Sequence, residues 1–477
     1  MALTAAPMLS FERLRRPLLL AGMLAGCLIL GFLLANRPWL AMGAGGGAVI
    51  LVLLLLRPLV VLGALLALGA YDLSFMTGGF NVLFPGLGGL DMNGIRLIGV
   101  VAGLSALVLV HRDFADYAFD RHGRWYVVFL VFAAATLVYT LSVVDGLRLF
   151  FKLAYPFLMF VAIRGVVRER GQLERLVDWV LIGGIVLTVL IDPVYVMAGG
   201  YDVDAAGRIR VQSMGLHENP FSFYLLMLIL ISFARYTVRG QLRYLALCGL
   251  FGIWLVLTLT RITFLAGMAG LAGVALFGAL VARNYRAVLG AGVVAAALAV
   301  PLVPVALERS LGYIPGPAEL LSLLADPMTL IQSINWQGRL VLWGVIFSSV
   351  ASSPVIGHGL GSSTALIFAT LPGWAGVVHN EYLRLLVDTG IIGSVLFAIA
   401  VLAWCAGALQ AGRVQDAQAR EFALPAFAGI VAWSIIAVTD NAFDYYAPFT
   451  QYIAFLCAGA LSAAGWARLE AEQETGD

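Results

Sequence analysis

The residues best suited to acid–base chemistry lie in the segment VVHNEYLRLLVDTGIIG, residues 377–393, which leads directly into an apolar run. An ionisable side chain near hydrocarbon costs roughly a few kcal/mol, so it persists mainly where it faces water or takes part in function. His379 is the first such residue, and imidazole exchanges a proton near neutral pH. We therefore predict that His379 is a general base that removes a proton from a hydroxyl group. The secondary candidates are Asn380, Glu381 and Arg384 beside it, and Glu218 in an earlier loop.

A histidine at such a position can also have a purely structural role. Taken alone, His379 is better interpreted as an interfacial histidine that a neighbouring carbonyl satisfies. Its context favours function, because an amphipathic helical turn follows and places the imidazole at the mouth of an apolar span. His217 and His358 are rivals, although both lie in turn-rich loops where a histidine is commonly just solvated.

Arginines are the second group of residues whose type points to chemistry. A guanidinium is permanently charged and fork-shaped, and it suits the oxygens of phosphate or pyrophosphate. The alternative for any one arginine is a salt bridge or a side chain that extends along the membrane to reach water. Arg261 is the strongest candidate, because LTLTRITFLAG places it at a break between two apolar stretches. The full set of candidate anion-binding residues is Arg208, Arg210, Arg261, Arg339 and Arg384.

Metal and nucleotide sites receive little support from the spacing of residues. No HExxH or related pattern of metal ligands is present, so we predict neither a metal nor another cofactor. The four cysteines lie inside apolar runs without CxxC spacing, as expected of small residues in a membrane core. The glycine-rich stretch GHGLGSS follows no predicted strand, so it does not resemble a phosphate-binding loop of soluble proteins.

Composition determines the class of protein. Hydrophobic residues make up 61% of 477 positions and charged residues only 12%, with a mean hydropathy of +0.95. A soluble domain has about a quarter charged residues, so this is a multi-pass protein of the inner-membrane type. The formal net charge of +2 gives no support for a nucleic-acid partner.

Apolar runs of about 20 residues predict helices that cross the membrane. We predict an all-α, polytopic transmembrane helical bundle of twelve to fourteen spans with a long periplasmic loop that contains helices. The segments at 147–164 and 244–282 could instead be re-entrant or broken. The candidate spans are 17–35, 39–56, 59–75, 95–111, 125–143, 147–164, 176–198, 221–238, 244–260, 262–282, 287–307, 389–409, 422–439 and 449–467.

The basic residues predict the orientation. With an even number of spans, most arginine-bearing loops fall on one side, and the positive-inside rule assigns that side and both termini to the cytoplasm. No convincing cleavage site follows the first span, so we expect it to be retained and not removed as a signal peptide.

Three regions follow from this topology. Residues 1–307 carry the N-terminal transmembrane helices, residues 308–388 form a periplasmic helical loop with His379, and residues 389–477 carry C-terminal transmembrane helices and a short cytoplasmic tail. A second outer loop covers 199–220. Long loops with helices of their own are usually functional, so we expect 308–388 to cap a cavity on the outer face.

The order of these features resembles the O-antigen ligase and polymerase superfamily of bacterial membrane glycosyltransferases. The matching elements are RIRVQSMGLHENP, LTLTRITF, the GRxxLW segment at 338–343, the GHGLGSS turn and HNEYLRLLVDTGIIG. The resemblance covers roughly 200–460, whereas the preceding spans match in hydropathy alone. Proteins of this family transfer a glycan from an undecaprenyl-pyrophosphate carrier to an acceptor at the periplasmic face, without a metal or a nucleotide sugar.

The resemblance implies roles for individual residues. His379 matches the histidine that activates the acceptor hydroxyl, and Arg210 and Arg261 match arginines that hold the donor pyrophosphate. Arg208 competes with Arg210 for this role, and Arg339 contacts pyrophosphate or supports the loop. Glu218 departs from the family pattern, because a smaller polar residue is expected before the Asn-Pro pair.

Two classes of function remain open at this point. The first is a lipid-linked glycan transferase, inverting at the anomeric carbon, whose acceptor is either a glycan or lipid A-core. The second is a transporter or flippase of lipid-linked oligosaccharide, which should show internal repeats and charges midway along broken helices. No convincing repeat relates 1–240 to 241–477, and the charges gather at one face, which favours the transferase. The form of the HNEYLRLLVDTGIIG segment leans towards an exopolysaccharide polymerase over a ligase.

Overall fold

The computed structural model describes residues 52–53, 55–69, 92–110, 113–203, 207–213, 216–280, 285–333, 338–371, 373 and 376–476. Within these residues the chain is almost entirely helical, which confirms the predicted all-α, polytopic membrane fold. The predicted span 17–35 lies outside the described residues, as do most of 39–56 and the end of 59–75. The predicted number of spans therefore remains a prediction.

The described residues form the following helices in chain order. They are α1 Pro58–Ala67, α2 Met92–Val110, α3 Asp113–Phe119, α4 Arg124–Thr136, α5 Val143–Val166, α6 Arg170–Ile185, α7 Asp192–Met197, α8 Glu218–Arg239, α9 Leu242–Leu257, α10 Arg261–Leu280, α11 Tyr285–Leu311, α12 Pro317–Ala325, α13 Pro327–Ser333, α14 Arg339–Val350, α15 Ser362–Thr370, α16 Glu381–Gly412, α17 Ala417–Thr439 and α18 Gln451–Gly476. A π-helical turn, Val186–Ile191, joins α6 to α7, and another, Tyr446–Thr450, precedes α18. Strands β1 Tyr201–Val203 and β2 Ile209–Val211 pair antiparallel in the outer loop predicted at 199–220.

Eight helical segments among the described residues are long and apolar enough to cross a membrane. They are α5, α6 continued through α7, α8, α10, α11, α16, α17 and α18. The predicted span at 147–164 is one continuous helix in spite of Pro156, whereas 244–282 is broken at Thr258–Thr260 between α9 and α10.

Helix α8 forms the centre of the bundle. Nearly all of its side chains are buried, including those of Tyr224 and Phe233, because α9 and α17 pack along its length. Helix α17 also packs on α10, and α18 packs on α5 and α17. A helix that packs against other helices on every face is expected to be apolar all round.

The two ends of the bundle carry different polar residues. Successive helices run in opposite directions, so the starts of α8, α10 and α16 lie at one end with the finishes of α11 and α17. We call this the His379 end. The opposite, Arg239 end contains the ion pairs of Arg170 with Asp416 and of Arg239 with Glu421.

Helix α16 is broken near its start. Gly390 adopts φ 64° and ψ −169°, a conformation that is essentially confined to glycine. The break exposes backbone groups, and the turn before α15 satisfies them: the amides of Ile391 and Ile392 donate to the carbonyls of Pro354 and Val355, at 2.9 and 3.1 Å. Buried Asp388 accepts from the amides at the start of α15, those of Gly361 and Ser363, at 2.8 and 2.7 Å.

The GHGLGSS turn is therefore a structural partner of α16. The amides of His358 and Gly359 donate to the carbonyls of Val387 and Asp388, which continue the pairing across the break. This arrangement sets the direction in which the first two turns of α16 leave the bundle. Those turns carry Glu381 and Arg384.

The break at Gly390 gives a first prediction. Gly390→Ala should destabilise the protein by about 2–3 kcal/mol or more, because a Cβ there meets the Val355 carbonyl oxygen at 2.3 Å and φ is positive. Gly249→Ala is the matched control, since nothing lies within 4 Å of its Cβ in helix α9. Thermal unfolding of both variants in detergent measures the difference, and equal unfolding temperatures would refute the strained break.

Candidate functional site

His379 lies at the start of α16 in a strained backbone conformation. Its φ is 53°, which is uncommon for a residue other than glycine and costs about 1–3 kcal/mol. Asn380 caps the helix by accepting a hydrogen bond from the Leu383 amide at 2.9 Å, so the strain falls on the residue just before the cap. The His379 side chain is 36% exposed, which leaves part of the ring open to solvent.

Asn441, from the segment between α17 and α18, holds His379 at two points. Its Oδ1 accepts a hydrogen bond from the His379 amide at 2.9 Å, which assigns the amide nitrogen of Asn441 to the other contact. That nitrogen lies 3.0 Å from His379 Nδ1 and donates to it. In this arrangement a neutral ring carries its proton on Nε2.

Asp440 offers the alternative partner for the same ring nitrogen. Its Oδ1 lies 3.9 Å from His379 Nδ1, about 1 Å beyond hydrogen-bonding distance. A small rotation of the ring towards Asp440 would favour the proton on Nδ1 and leave Nε2 as a base. The two neighbours Asp440 and Asn441 therefore control which nitrogen of His379 can accept a proton.

Asp440 is itself firmly positioned and almost fully buried. Asn219, in the first turn of α8, donates to its Oδ2 at 2.8 Å, and the Tyr445 hydroxyl donates to its Oδ1 at 3.3 Å. Burial raises the pKa of Tyr445, and the carboxylate of Asp440 raises it further, so the hydroxyl stays protonated and remains a donor. Asp440 thereby connects His379 to α8.

The arginines Arg208, Arg210 and Arg261 gather at the same end of the bundle. Arg210, on β2, pairs with Glu218 at 2.7 Å, directly before the Asn219 that binds Asp440. Arg208 pairs with Glu308 at 2.5 Å, and Arg261 donates to Ser310 at 3.1 Å.

Three elements form this arginine cluster. The last turn of α11 carries both Glu308 and Ser310, and so it joins the hairpin residue Arg208 to Arg261 at the start of α10. Asp202 of β1 is the cross-strand partner of Arg210 on the same hairpin. Guanidinium groups gathered at one end of the bundle suit an anionic ligand. Glu218, noted as a departure from the family pattern, is the carboxylate that orients Arg210.

Glu381 and Arg384 belong to a second polar group, which also contains Asp444 and Lys152. Arg384 Nη1 lies 3.4 Å from Asp444 Oδ1 and 3.6 Å from Glu381 Oε1, and Lys152 of α5 donates to Asp444 at 2.7 Å. Glu381 also accepts from the Phe443 amide at 2.9 Å. Burial raises the pKa of Asp444, but Lys152 and Arg384 outweigh burial and lower that pKa to about 2.

The remaining candidates lie farther from this centre. Arg339 is half-buried in the first turn of α14, one helical turn before Trp343, whose indole donates to the Val378 carbonyl at 3.0 Å. His358 Nε2 lies 2.8 Å from the Ser349 carbonyl oxygen, a structural contact within its turn. His217 is exposed at the start of α8. The structure thus brings His379 together with the arginines of the outer loop, but not with His358.

Sequence reasoning missed several residues of the site. They are Lys152, Asn219, Asp440, Asn441 and Asp444. A signal was present in TDNAFDYY, residues 439–446, where polar groups separate two apolar spans as they do around His379.

The His379 end carries cationic side chains in two groups. One is the arginine cluster, and the other contains Lys152 and Arg384. Among the described residues, no group of three or more histidine, cysteine, aspartate or glutamate side chains is arranged to hold a metal ion.

Comparison with protein families gives a match over the middle of the chain. Residues 244–398 match the family model described as O-Antigen ligase, a shorter region than the resemblance over 200–460. No curated protein matches the sequence. The matched region contains Arg261, Arg339 and His379, whereas Arg210 and the 440–444 segment lie outside it.

This family indicates a glycosyltransferase of the O-antigen ligase and polymerase type in a multi-pass membrane protein. The match extends from α9 into the broken helix α16, and so it covers the element that carries His379. Residues 244–398 are therefore similar to an O-antigen ligase domain, and this match supports the O-antigen ligase and polymerase superfamily.

Proposed function

We propose that this protein transfers a glycan from an undecaprenyl-pyrophosphate carrier to an acceptor hydroxyl at the periplasmic face of a bacterial inner membrane. The reaction needs neither a metal nor a nucleotide sugar and inverts the configuration at the anomeric carbon. The observation that carries the proposal is the position of His379, which is partly exposed and bonded to Asn441, with Asp440 linking it to the helix that orients Arg210.

The chemistry assigns a separate task to each group. His379 takes the proton of the acceptor hydroxyl, and the oxygen attacks the anomeric carbon from the side opposite the pyrophosphate. The bond from that carbon to the pyrophosphate oxygen breaks as the new glycosidic bond forms. Arg210 and Arg261, with Arg208 and Arg339 as further contacts, stabilise the negative charge on the departing pyrophosphate. His379 then releases its proton to solvent.

Asp440 makes His379 competent as a base in this scheme. When Nδ1 accepts from Asn441, the neutral ring holds its proton on Nε2 and cannot remove another there. Pairing of Nδ1–H with Asp440 frees Nε2, as a carboxylate does for other catalytic histidines. The 3.9 Å separation is compatible with a contact that tightens when substrates bind.

A transporter or flippase of lipid-linked oligosaccharide is the less favoured function. Such a protein should place its charges midway along discontinuous helices. Here Glu218, Arg261 and Arg384 lie in the first turns of α8, α10 and α16, while Lys152 lies within the continuous helix α5. The charges near His379 thus gather mainly at helix ends, which favours chemistry at that surface.

The acceptor distinguishes a polymerase from a ligase. A polymerase extends another lipid-linked repeat unit, whereas a ligase attaches the glycan to lipid A-core. Incubation of the purified protein with a lipid-linked repeat unit, with and without lipid A-core, identifies the acceptor. The sequence around His379 leans towards a polymerase.

The orientation can be tested by reporter fusions. Fusions at Gly316, before α12, and at Gln415, between α16 and α17, should report the periplasm and the cytoplasm, respectively. The physical reason is the concentration of basic residues in the loops of the Arg239 end. If both fusions report the same compartment, the orientation and the periplasmic site are wrong.

The base can be tested by substitution of His379 and its partner. His379→Ala should lower the transfer rate by about a hundred- to ten-thousandfold, because a positioned acid–base group contributes that much. Asp440→Asn should lower kcat strongly as well, since an amide cannot hold the Nδ1 proton as a carboxylate does. Exposed His217→Ala is the control and should keep most activity.

Donor binding must be measured in parallel in the same detergent-purified variants. His379→Ala should bind undecaprenyl pyrophosphate like the unchanged protein. Unchanged turnover in His379→Ala would exclude it as the base, and equal loss of binding in this variant and in Arg261→Ala would assign it to the donor site instead.

The donor site can be tested by conservative exchange of Arg261. Arg261→Lys should weaken donor binding, as Arg261→Ala should, because lysine keeps the charge but loses the bidentate fork of the guanidinium. We expect binding of undecaprenyl pyrophosphate to weaken by about tenfold or more in both, consistent with the loss of a hydrogen bond to a charged group. Arg208→Ala should have a milder effect. Arg413→Ala, exposed at the Arg239 end, is the control, and near-normal binding in both Arg261 variants would make Arg261 a structural cation.

A further inference from the structure

We propose that Lys152, Arg384 and Asp444 form the acceptor subsite and hold an uncharged sugar through its hydroxyl groups. This inference rests on the proposed transfer reaction and adds where the acceptor binds and what kind of group is recognised. The subsite lies against the segment between α17 and α18, which also holds His379.

The position follows from the chain between α17 and α18. Asp440 and Asn441 contact His379, and Asp444 contacts Lys152 and Arg384. Three residue steps separate Asn441 from Asp444, and a chain of this length spans at most about 11 Å. One short oligosaccharide can therefore reach the base and the Lys152 group at the same time.

The cations of the group already face carboxyl groups. Lys152 and Arg384 lie against Asp444, and Arg384 also lies near Glu381. Cations next to carboxyl groups offer a sugar hydroxyl both donors and acceptors, whereas an anionic ligand would be repelled by the carboxylate, so the group suits a ligand without charge.

The group also has hydrogen-bonding capacity left over. An ammonium carries three donors, and within the described part of the chain Lys152 makes one hydrogen bond, to Asp444. Arg384 Nε and Glu381 Oε2 are buried side-chain atoms that have no hydrogen-bond partner among the described residues. Buried polar atoms are normally satisfied, so a hydroxyl-bearing ligand or water is expected next to them.

The group is accessible from outside. The side chains of Lys152 and Asp444 are 25% and 23% exposed, so a ligand can reach the ammonium and the carboxylate without unfolding the site. Neighbouring hydroxyls of a sugar can donate to the carboxylate and accept from the ammonium. Hydrogen bonds to charged groups are the stronger ones in proteins, which makes this pair effective for recognition.

The test measures the KM for the acceptor and the KM for the donor separately in each variant. Lys152→Met keeps the apolar stem and removes the ammonium. Using purified protein, a lipid-linked repeat unit as donor and an uncharged acceptor oligosaccharide isolated from cells that lack this protein, we expect the acceptor KM to rise about ten- to hundredfold. The donor KM and kcat at saturating acceptor should change by less than about threefold. Arg148→Gln, one turn away on α5 and largely exposed, is the control and should change neither constant.

Lys152→Arg distinguishes recognition of the acceptor by Lys152 from a purely structural role of this residue. It keeps the charge and the ion pair with Asp444, but replaces three rotatable donors with a planar fork. A folded Lys152→Arg protein with a several-fold higher acceptor KM supports recognition, whereas unchanged constants in this variant would reduce Lys152 to a structural cation. Folding is checked by size-exclusion chromatography and thermal unfolding in detergent.

Two further results would overturn the inference and leave the proposed reaction intact. One is a rise in donor KM with an unchanged acceptor KM, which would move Lys152 to the donor site. The other is tighter binding of a carboxylate-bearing acceptor than of the uncharged one, which would contradict recognition of hydroxyl groups. By contrast, absence of any transfer by the unchanged protein would reject the proposed function itself.

Discussion

The pairing of charges near hydrocarbon is the constraint on which the His379 end depends. A charge at the edge of a membrane must meet water or an opposite charge, and an unpaired buried charge costs several kcal/mol. The segment 440–444 supplies carboxylates and amides to three helices: α5 through Lys152, α8 through Asn219 and α16 through His379. One short connection between two apolar spans thus positions side chains from distant parts of the chain.

Strain and rigid support occur together at the start of α16. His379 holds a positive φ, and Gly390 breaks the helix about three turns later. The GHGLGSS turn satisfies the backbone groups that the break exposes, and Asp388 caps the neighbouring helix α15. A strained residue persists only when its surroundings determine its conformation, and such surroundings keep a reactive group in place before substrates bind.

The Arg239 end is built from a different kind of contact. Arg239 pairs with Glu421 and with Glu174, and Arg170 pairs with Asp416 and with Glu470 of α18. These ion pairs join neighbouring helices, and each of these two arginines meets two carboxylates. At the His379 end, two arginines come from the outer hairpin: Arg210 pairs with Glu218 and Arg208 pairs with Glu308. The ion pairs of the Arg239 end thus hold helices together, whereas those of the His379 end also attach a loop to the bundle.

Local patterns in the sequence were enough to predict the all-α membrane fold, because hydropathy is read from neighbouring residues. The same patterns made His379, Arg210 and Arg261 candidates. A charged or ionisable side chain next to an apolar run costs free energy, so it usually has a function. The partners of these residues were decided by the tertiary structure alone. His379 and Asn441 lie 62 positions apart, and Lys152 and Asp444 lie 292 apart, so no periodicity relates them. Only the packing of the helices determines which of these charged and polar side chains meet.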